Sequence, residues 1–214
     1  MNSKPHFYPA LESTLRRLES LPIPDERKTI LSPLIEEIKN QWERGQAAKL
    51  HFICTHNSRR SQFAQIWACT AAAWHGIPVE TYSGGVEVTA FNAGVVSALK
   101  RAGFKISSSG ADNPVYWVFF ASGPPPVKAW SKLFDDLLNP KTGFTAVMTC
   151  SEADENCPFI PGAGSRIPLW YEDPKIYDGT AEETLRYDER SDQIGAEMVW
   201  VFSNLRTQRS TANG

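Results

Sequence analysis

Apolar residues in the first 48 positions recur every three or four residues, the spacing of a helix that is buried along one face. A break at residues 22–24, which holds two prolines, divides this pattern into two predicted helices. The apolar positions are Leu11, Leu15, Leu18 and Leu21 in the first helix, and Leu31, Leu34, Ile35, Ile38 and Trp42 in the second. Because such faces must be covered, we expect these helices to pack on the rest of the chain or on a second subunit, which leaves a homodimer open.

From residue 50 onwards, short apolar runs alternate with segments of helical period. The predicted elements are strands at residues 50–54, 79–83 and 144–149, and helices at residues 62–75, 93–102 and 181–205. This alternation is typical of an α/β fold, in which right-handed crossovers join parallel strands. Ligands bind at the carboxyl ends of such strands, so we expect a site directly after the first strand.

Residues 113–131 interrupt the alternation. An aromatic and β-branched run at residues 115–121, a turn-rich stretch at 122–126 and a second extended run at 127–131 together predict a hairpin. We expect its aromatic side chains to serve packing rather than substrate contact. The predicted organisation is a helical extension at residues 1–48, an α/β catalytic domain at residues 49–206 with residues 113–131 as an insertion, and a flexible tail at residues 207–214.

Composition and charge exclude several classes of function. The 214 residues carry a net charge of −2, which gives no electrostatic case for binding nucleic acid or an anionic membrane surface. Residues 1–20 lack the apolar core of a signal peptide, and the run at residues 115–121 is too short to span a bilayer, so we expect a cytoplasmic protein. Four cysteines are too few for a disulfide scaffold, and they and the four histidines lack zinc-ligand spacing.

The candidate chemistry begins at the end of the first predicted strand. There the chain reads Cys54-Thr55-His56-Asn57-Ser58-Arg59-Arg60-Ser61, and a predicted helix follows. Five residues between Cys54 and Arg60 let the backbone curl round one tetrahedral oxyanion, towards which the unpaired amides of the helix N-terminus point. Arg60 adds a planar fork of donors, and Ser61 can donate to the sulfur of Cys54. The stretch therefore predicts an oxyanion-binding loop with Cys54 as its nucleophile.

Two further features lie downstream of this loop. Asp173 precedes Pro174 in a rigid turn, and an acid held near an oxyanion can protonate a departing oxygen, although the pair alone indicates only a turn. Cys150 and Cys157 are separated by a polar segment that predicts a flexible loop, which would let one thiol approach another for disulfide transfer. From the sequence alone, the alternative that both cysteines are inert core residues explains them at least as well.

The loop, with a strand before it and a helix after it, resembles that of the low-molecular-weight protein tyrosine phosphatases and of the thioredoxin-coupled arsenate reductases. Its Cys-x-x-Asn-Ser-x-Arg-Ser-Gln form is closer to the reductases, which also carry a cysteine pair in a segment very similar to Cys-Ser-Glu-Ala-Asp-Glu-Asn-Cys-Pro. The segment Trp-Tyr-Glu-Asp-Pro likewise resembles the reductase form. The chain departs from the family at His56, where glycine is usual, and at Arg59, where the reductases often have cysteine.

The resemblance implies a three-layer fold with a mostly parallel four-stranded sheet, and it implies a role for each site residue. Cys54 would attack arsenate held by the loop amides and Arg60, while Asp173 protonates the leaving hydroxyl. Cys150 would then displace arsenite by forming a disulfide with Cys54. Cys157 would resolve it to a disulfide with Cys150, which thioredoxin reduces, so no bound organic cofactor is needed.

The resemblance leaves a second activity open, a phosphatase for phosphotyrosine or small phosphomonoesters in which the cysteine pair gives redox protection. Lys175 favours the reductase, because phosphotyrosine enzymes commonly place an aromatic residue after the Asp-Pro pair. A non-catalytic oxyanion-binding module is disfavoured, since it needs neither a nucleophile nor an acid. A monovalent cation beneath the loop, held by Asn57 and Ser83, is also left open.

Overall fold

A computed structural model describes the chain at residues 5–157 and 159–212, with side chains as far as residue 205. Its strands are β1 (His6–Phe7), β2 (Ala48–Cys54), β3 (Val79–Gly85), β4 (Lys105–Ser109), β5 (Val115–Phe119), β6 (Ala121–Ser122), β7 (Val127–Ala129), β8 (Phe144–Met148) and β9 (Ala163–Pro168). Its helices are α1 (Pro9–Glu19), α2 (Asp25–Glu43), α3 (Arg60–His75), α4 (Ala93–Arg101), α5 (Ser151–Asn156) and α6 (Glu183–Ala212), with a 3-10 turn at Pro174–Tyr177.

The centre of the fold is a four-stranded parallel sheet in the order β3-β2-β8-β9. Strands β2 and β8 are buried on both faces, which explains the continuous apolar runs that predict them. The predicted α/β class with a parallel sheet is therefore confirmed. The pattern does not identify β9, because this edge strand is mostly half-buried or exposed and reads Ala-Gly-Ser-Arg-Ile-Pro.

The two faces of the sheet are covered by different elements. Leu50 and Phe52 of β2 point into a large core that also contains side chains of α1, α2, α3, α4 and α6. Because side chains alternate along a strand, Ile53 points to the opposite face, where α5 and irregular segments form a smaller core. The loop between β2 and α3 therefore begins where the two cores meet.

The N-terminal helices pack on this chain. Their fully buried side chains in the large core are Leu11, Leu15 and Leu18 in α1, and Leu31, Leu34 and Ile38 in α2. Gln41 of α2 donates to Thr145 Oγ1 at 2.8 Å and accepts from the amide of Lys49 at 3.0 Å, which joins α2 to the start of β2. The expected packing of the apolar faces is thus confirmed, except that Leu21 is exposed because α1 ends at Glu19.

The predicted hairpin is present and belongs to a larger unit. Strands β5 and β7 pair in antiparallel fashion, and β4 adds a third strand to give the order β4-β5-β7. The pattern does not identify β4, since its Lys-Ile-Ser-Ser-Ser sequence is mostly exposed. Just beyond this sheet, the carbonyl of Trp130 accepts a hydrogen bond from Gln62 Nε2 at 2.9 Å, so the insertion contacts α3 directly behind the loop.

The segment between Cys150 and Cys157 is helix α5, so the prediction of a flexible loop is wrong. Acidic residues in its first turn, Glu152 and Asp154, favour a helix because they face the positive end of the helix dipole. Arg166 of β9 also donates to Asp154 Oδ1 at 2.8 Å and to the carbonyl of Cys157. These contacts hold the C-terminal half of a segment whose polar composition predicts a loop.

The last helix is longer than its apolar pattern indicates. Its apolar side chains Ile194, Met198, Val201 and Phe202 are fully buried in the large core. The backbone is helical as far as Ala212, whereas the sequence predicts a flexible tail at residues 207–214, of which residues 213 and 214 lie outside the described part. Among the described helices, none combines the length and the apolar composition that a membrane crossing requires.

Candidate active site

The segment after Cys54 forms a tight turn at the carboxyl end of β2, where the sequence predicts the site. Asn57 is buried within it and has a φ of 46°, in the left-handed region that asparagine tolerates better than most residues. Its side chain donates to Ser61 Oγ at 2.9 Å and accepts from the amide of Lys132 at 3.1 Å. Because Ser61 Oγ already accepts one hydrogen bond, its own hydrogen can point at Cys54 Sγ, 3.0 Å away, and stabilise a thiolate.

Carbonyl groups of the turn are bonded by side chains around it. The carbonyl of His56 accepts from Ser131 Oγ at 2.8 Å, and that of Asn57 accepts from Gln62 Nε2 at 2.9 Å. Carbonyls that are held by outside donors leave the amides of the turn for its interior, as in an anion-binding nest. Ser131 belongs to the end of the insertion, so this part of the chain also shapes the turn.

Gly85, the last residue of β3, lies directly against this turn. A Cβ atom at this position would be 2.7 Å from the amide nitrogen of Asn57 and 2.8 Å from the carbonyl oxygen of Thr55. Real Cβ atoms essentially never approach backbone atoms so closely. Glycine is therefore required here by the approach of β3 to the turn, a reason that the sequence alone does not give.

Replacing Gly85 by alanine is expected to displace the turn and to weaken oxyanion binding by about 10-fold or more, because small shifts of a binding constellation have large effects. Titration with inorganic phosphate measures this. Gly164→Ala in β9 is the matched control, since a Cβ there would meet only Phe144 O at 3.9 Å. Equal phosphate affinity in both variants and the wild type would contradict the assignment of Gly85.

Arg60 and Asp173 meet at the turn, although they are 113 positions apart in the sequence. Asp173 Oδ2 lies 3.0 Å from Arg60 Nη2, and Arg60 Nη1 donates to the carbonyl of Tyr171 at 3.3 Å. Arg60 is buried, and its Nε has no hydrogen-bond partner among the described residues. Asp173 Oδ1 also accepts from the amide of Lys175 at 3.0 Å, which fixes the carboxylate at the start of the 3-10 turn. The arrangement places a carboxylate beside an arginine that can bind an anion.

Arg59 binds three side chains of the protein outside the turn. Its guanidinium donates to Tyr187 Oη at 2.7 Å and to Asp178 Oδ2 at 2.9 Å, and Tyr187 Oη donates to Asp178 Oδ1 at 2.7 Å. Arg59 Nε is also 3.8 Å from Asp173 Oδ1. The side chain thus joins the turn to α6 and to the segment after the acid, while an oxyanion contact through Arg59 remains a prediction.

Cys150 lies beside the turn, and Cys157 does not. The Cys150 side chain is fully buried, with Sγ 3.5 Å from Thr55 Oγ1. Burial raises the pKa of the Cys150 thiol, although the Thr55 hydroxyl and the positive charge of Arg60 act in the opposite direction. Cys157 is half-buried at the far end of α5. The structure therefore brings only one cysteine of the pair to the site.

Two further residues of the turn, His56 and Asn57, have polar contacts with other parts of the protein. His56, at the rim, has its Nε2 3.2 Å from Glu87 Oε2. The Asn57 amide donates to Ser61 and accepts from Lys132, and Ser83 Oγ is buried without a hydrogen-bond partner among the described residues. A monovalent cation held by Asn57 and Ser83 therefore remains a prediction. Within residues 5–157 and 159–212, no three His, Cys, Asp or Glu side chains cluster in a way that could hold a metal ion.

Comparison with curated proteins identifies the family. An arsenate reductase from Bacillus subtilis is 30% identical over 147 residues, which are 68% of this chain and 88% of the relative. This chain belongs to the arsenate reductase family. Another arsenate reductase of the family, from Oceanobacillus iheyensis, is 27% identical over 155 residues, or 72% of this chain and 94% of the relative. No protein-family model matches the sequence.

Solved structures show the fold of this member of the arsenate reductase family. A YwlE mutant from Bacillus subtilis has a TM-score of 0.52 at 14% identity, covering 74% of this chain and 99% of the other. A low-molecular-weight phosphotyrosine phosphatase from Vibrio cholerae has a TM-score of 0.52 at 12% identity, covering 76% of this chain and 99% of the other. The predicted low-molecular-weight phosphatase fold is confirmed.

Several residues that shape the site in this arsenate reductase family member are not identified by sequence reasoning. Lys132 holds Asn57 through its backbone amide, so no side-chain motif marks it. Glu152, whose Oε2 lies 3.6 Å from Arg60 Nη1, becomes visible only once α5 is known to start beside the turn. Tyr187 lies on the predicted last helix and accepts from Arg59 through its hydroxyl. A tyrosine hydroxyl beside the apolar face of that helix is the one feature of the sequence that indicates such a contact.

Proposed function

We propose that this protein reduces arsenate to arsenite through three of its own cysteine thiols. The observation that carries the proposal is the position of Cys150, a buried thiol 3.5 Å from the Thr55 hydroxyl and adjacent to the candidate nucleophile Cys54. A thiol in this place can attack an adduct formed on Cys54, and a hydrolase that uses water has no need of it. The names of the curated relatives support the same reaction.

The first step is the attack of the Cys54 thiolate on arsenic. A sulfur–arsenic bond forms while one arsenic–oxygen bond breaks, and Asp173 protonates the departing oxygen so that it leaves as water. Arg60 stabilises the charge on the remaining oxygens. The 3.0 Å contact between Asp173 and Arg60 supports these roles, because both groups can then reach the same oxyanion.

The second step is the attack of Cys150 on the Cys54 sulfur. A disulfide forms, the sulfur–arsenic bond breaks, and its electron pair stays on arsenic, which leaves as arsenite in the trivalent state. Cys150 must lose its proton first, and burial opposes this by raising its pKa. The Thr55 hydroxyl and the Arg60 charge, which favour the thiolate, support the assignment of Cys150 to this step.

In the third step, Cys157 attacks Cys150 and releases the Cys54 thiolate. Helix α5 separates the two cysteines, and seven helical steps span roughly 10 Å, which exceeds the roughly 7 Å limit between the Cα atoms of a disulfide. The helix must therefore unwind before this disulfide can form. Its hydrogen bonds with Arg166 break during that change. Their re-formation after reduction favours the return of the segment to α5.

The reaction requires an external dithiol to reduce the Cys150–Cys157 disulfide, and we infer thioredoxin as its source. Cys157 supports this inference because it is partly exposed at the end of α5. A reductant of this kind operates in a reducing compartment, so we assign the protein to the cytoplasm. We retain residues 49–206 as the catalytic unit and residues 1–48 as its extension, and a homodimer stays a prediction.

A phosphatase is the second candidate, because the solved structures that share the fold include a phosphotyrosine phosphatase. Phosphate and arsenate have nearly the same shape, and the turn with Cys54, Arg60 and Asp173 serves either. In a phosphatase, water would hydrolyse the Cys54 adduct, and Cys150 would take no part in turnover. The two candidates therefore differ in the fate of the adduct.

Arsenate-dependent oxidation of NADPH in the presence of thioredoxin and thioredoxin reductase tests the proposal. We expect multiple turnovers with the wild-type protein and release of arsenite equal to the NADPH consumed. Hydrolysis of para-nitrophenyl phosphate is measured alongside. Hydrolysis without any arsenate-dependent NADPH oxidation would overturn the reductase and support the phosphatase.

A further inference from the structure

The N-terminal extension reaches the segment that carries the candidate acid. Arg27 on α2 donates to Glu197 on α6 through two bonds of 2.8 Å each, from Nε to Oε1 and from Nη2 to Oε2. Its third nitrogen group, Nη1, donates to the carbonyl of Trp170 at 3.2 Å. Arg27 thus contacts the backbone only three positions before Asp173, across 143 residues of sequence.

Tyr171 completes this connection. Its hydroxyl donates to Glu197 Oε2 at 2.7 Å, and the Arg27 guanidinium lies over its ring, 5.0 Å from the ring centre. Tyr171 and Glu197 are almost fully buried, and water is therefore a poor substitute for these bonds. At the other end, the carbonyl of Tyr171 accepts from Arg60 Nη1, so the same residue contacts the turn.

We propose that Arg27 and Glu197 are positioning residues, through which the N-terminal helices hold the segment Trp170 to Asp173 against the oxyanion-binding turn. The proposal rests on the proposed function only in that Asp173 acts as the acid. Glu197 accepts from Gln193 of its own helix and from two donors in distant parts of the chain, Arg27 and Tyr171. Arg27 also donates to the carbonyl of Trp170, and the carbonyl of Tyr171 accepts from Arg60 of the turn. Neither residue touches the reacting atoms.

The first test is Arg27→Met, which keeps much of the side-chain stem and removes the guanidinium. We expect kcat for arsenate to fall by about 10- to 100-fold, because the acid is displaced from the departing oxygen. The KM for arsenate and the affinity for inorganic phosphate should change less than threefold, since the turn and Arg60 remain. Hydrogen exchange of the amides at residues 170–175 should become faster than in the wild type.

Arg17→Met is the matched control. Arg17 also joins the extension to α6, through a two-fold contact with Asp192 at 2.6 and 2.8 Å, but it lies on the exposed surface and does not contact the acid segment. We expect wild-type kcat and wild-type exchange at residues 170–175 in this variant. An equal loss of kcat in the Arg17 and Arg27 variants would overturn the proposal, because it would indicate a general weakening of the extension.

Two more variants separate positioning from loss of folding. Tyr171→Phe removes one hydroxyl, so it should fold and show the same decrease in kcat with a smaller magnitude. Arg27→Met leaves the buried Glu197 carboxylate without its arginine partner, and a second change, Glu197→Gln, removes that charge. The melting temperature of the double variant should therefore be higher than that of Arg27→Met, while its kcat stays low. Recovery of kcat together with stability would overturn the proposal.

The positioning role can also be tested if the proposed arsenate reduction is absent. If the wild-type protein does not reduce arsenate, the same variants are compared in the hydrolysis of phenyl phosphate and para-nitrophenyl phosphate. Phenolate is the poorer leaving group and depends more on the acid, so Arg27→Met should slow phenyl phosphate more strongly. Equal slowing of both esters with unchanged exchange at residues 170–175 would overturn the positioning role.

Discussion

Replacement of Cys150 by serine is expected to lower the rate of multiple turnover with arsenate by about 10³-fold or more. The reason is that the thiol that attacks the Cys54 adduct is lost. Serine is close to cysteine in size, so the buried position beside Thr55 is kept. Its hydroxyl cannot form a disulfide with Cys54, and the adduct on Cys54 then has no route to arsenite. The coupled NADPH assay measures the loss directly.

The effect of this substitution should be confined to the redox steps. Hydrolysis of para-nitrophenyl phosphate, if the wild type shows it, should change little, because the turn, Arg60 and Asp173 remain. Cys157→Ser is the matched comparison: it should stop one step later, with a Cys54–Cys150 disulfide that mass spectrometry detects after a single turnover. Continued arsenate turnover by the Cys150→Ser protein would rule out the three-thiol mechanism.

Replacement of Cys54 by serine is expected to abolish reduction and any ester hydrolysis together, by about 10⁴-fold or more, since loss of a nucleophile removes the covalent route. The serine hydroxyl is a far weaker nucleophile than a thiolate at neutral pH. Phosphate binding should persist, because Arg60 and the amides of the turn are unchanged. Calorimetric titration with inorganic phosphate and both activity assays test this pair of expectations.

Cys69→Ser provides the control for the Cys54 variant. Cys69 is free and lies in the middle of α3, and burial raises the pKa of its thiol to about 11. A thiol of this kind is protonated at neutral pH and takes no part in disulfide exchange. The Cys69→Ser protein should therefore retain both activities. A large loss in this variant, matched by a small loss in Cys54→Ser, would refute the choice of nucleophile.

The sequence predicts those parts of the fold that a strong local pattern determines. Apolar runs give β2 and β8, and the spacing between Cys54 and Arg60 gives the turn. Edge strands β4 and β9 escape prediction because half of their surface faces solvent, so their side chains are small or polar. Helix α5 escapes because its structure depends on tertiary contacts with Arg166 of the next strand, β9, which the polar pattern of the segment does not indicate.

The residues of the site also divide into those that a local motif identifies and those that it does not. Residues within the turn and the Asp-Pro pair carry chemistry that can be recognised one by one, and the structure brings Asp173 to Arg60 as expected. Long-range partners carry no such signal: Arg27 reads as one more charged residue on an amphipathic helix, and Gly85 as one more turn residue. Their roles follow only from which backbone they approach.

The packing of α1 and α2 also limits how the protein can be shortened. A chain that began at residue 49 would match the span of a minimal reductase, but it would expose the side chains of the large core that Leu11, Leu15, Leu31 and Leu34 now cover. Apolar surface of that extent promotes aggregation. The extension is therefore part of the folding unit, and libraries or truncations intended to isolate the chemistry must keep it.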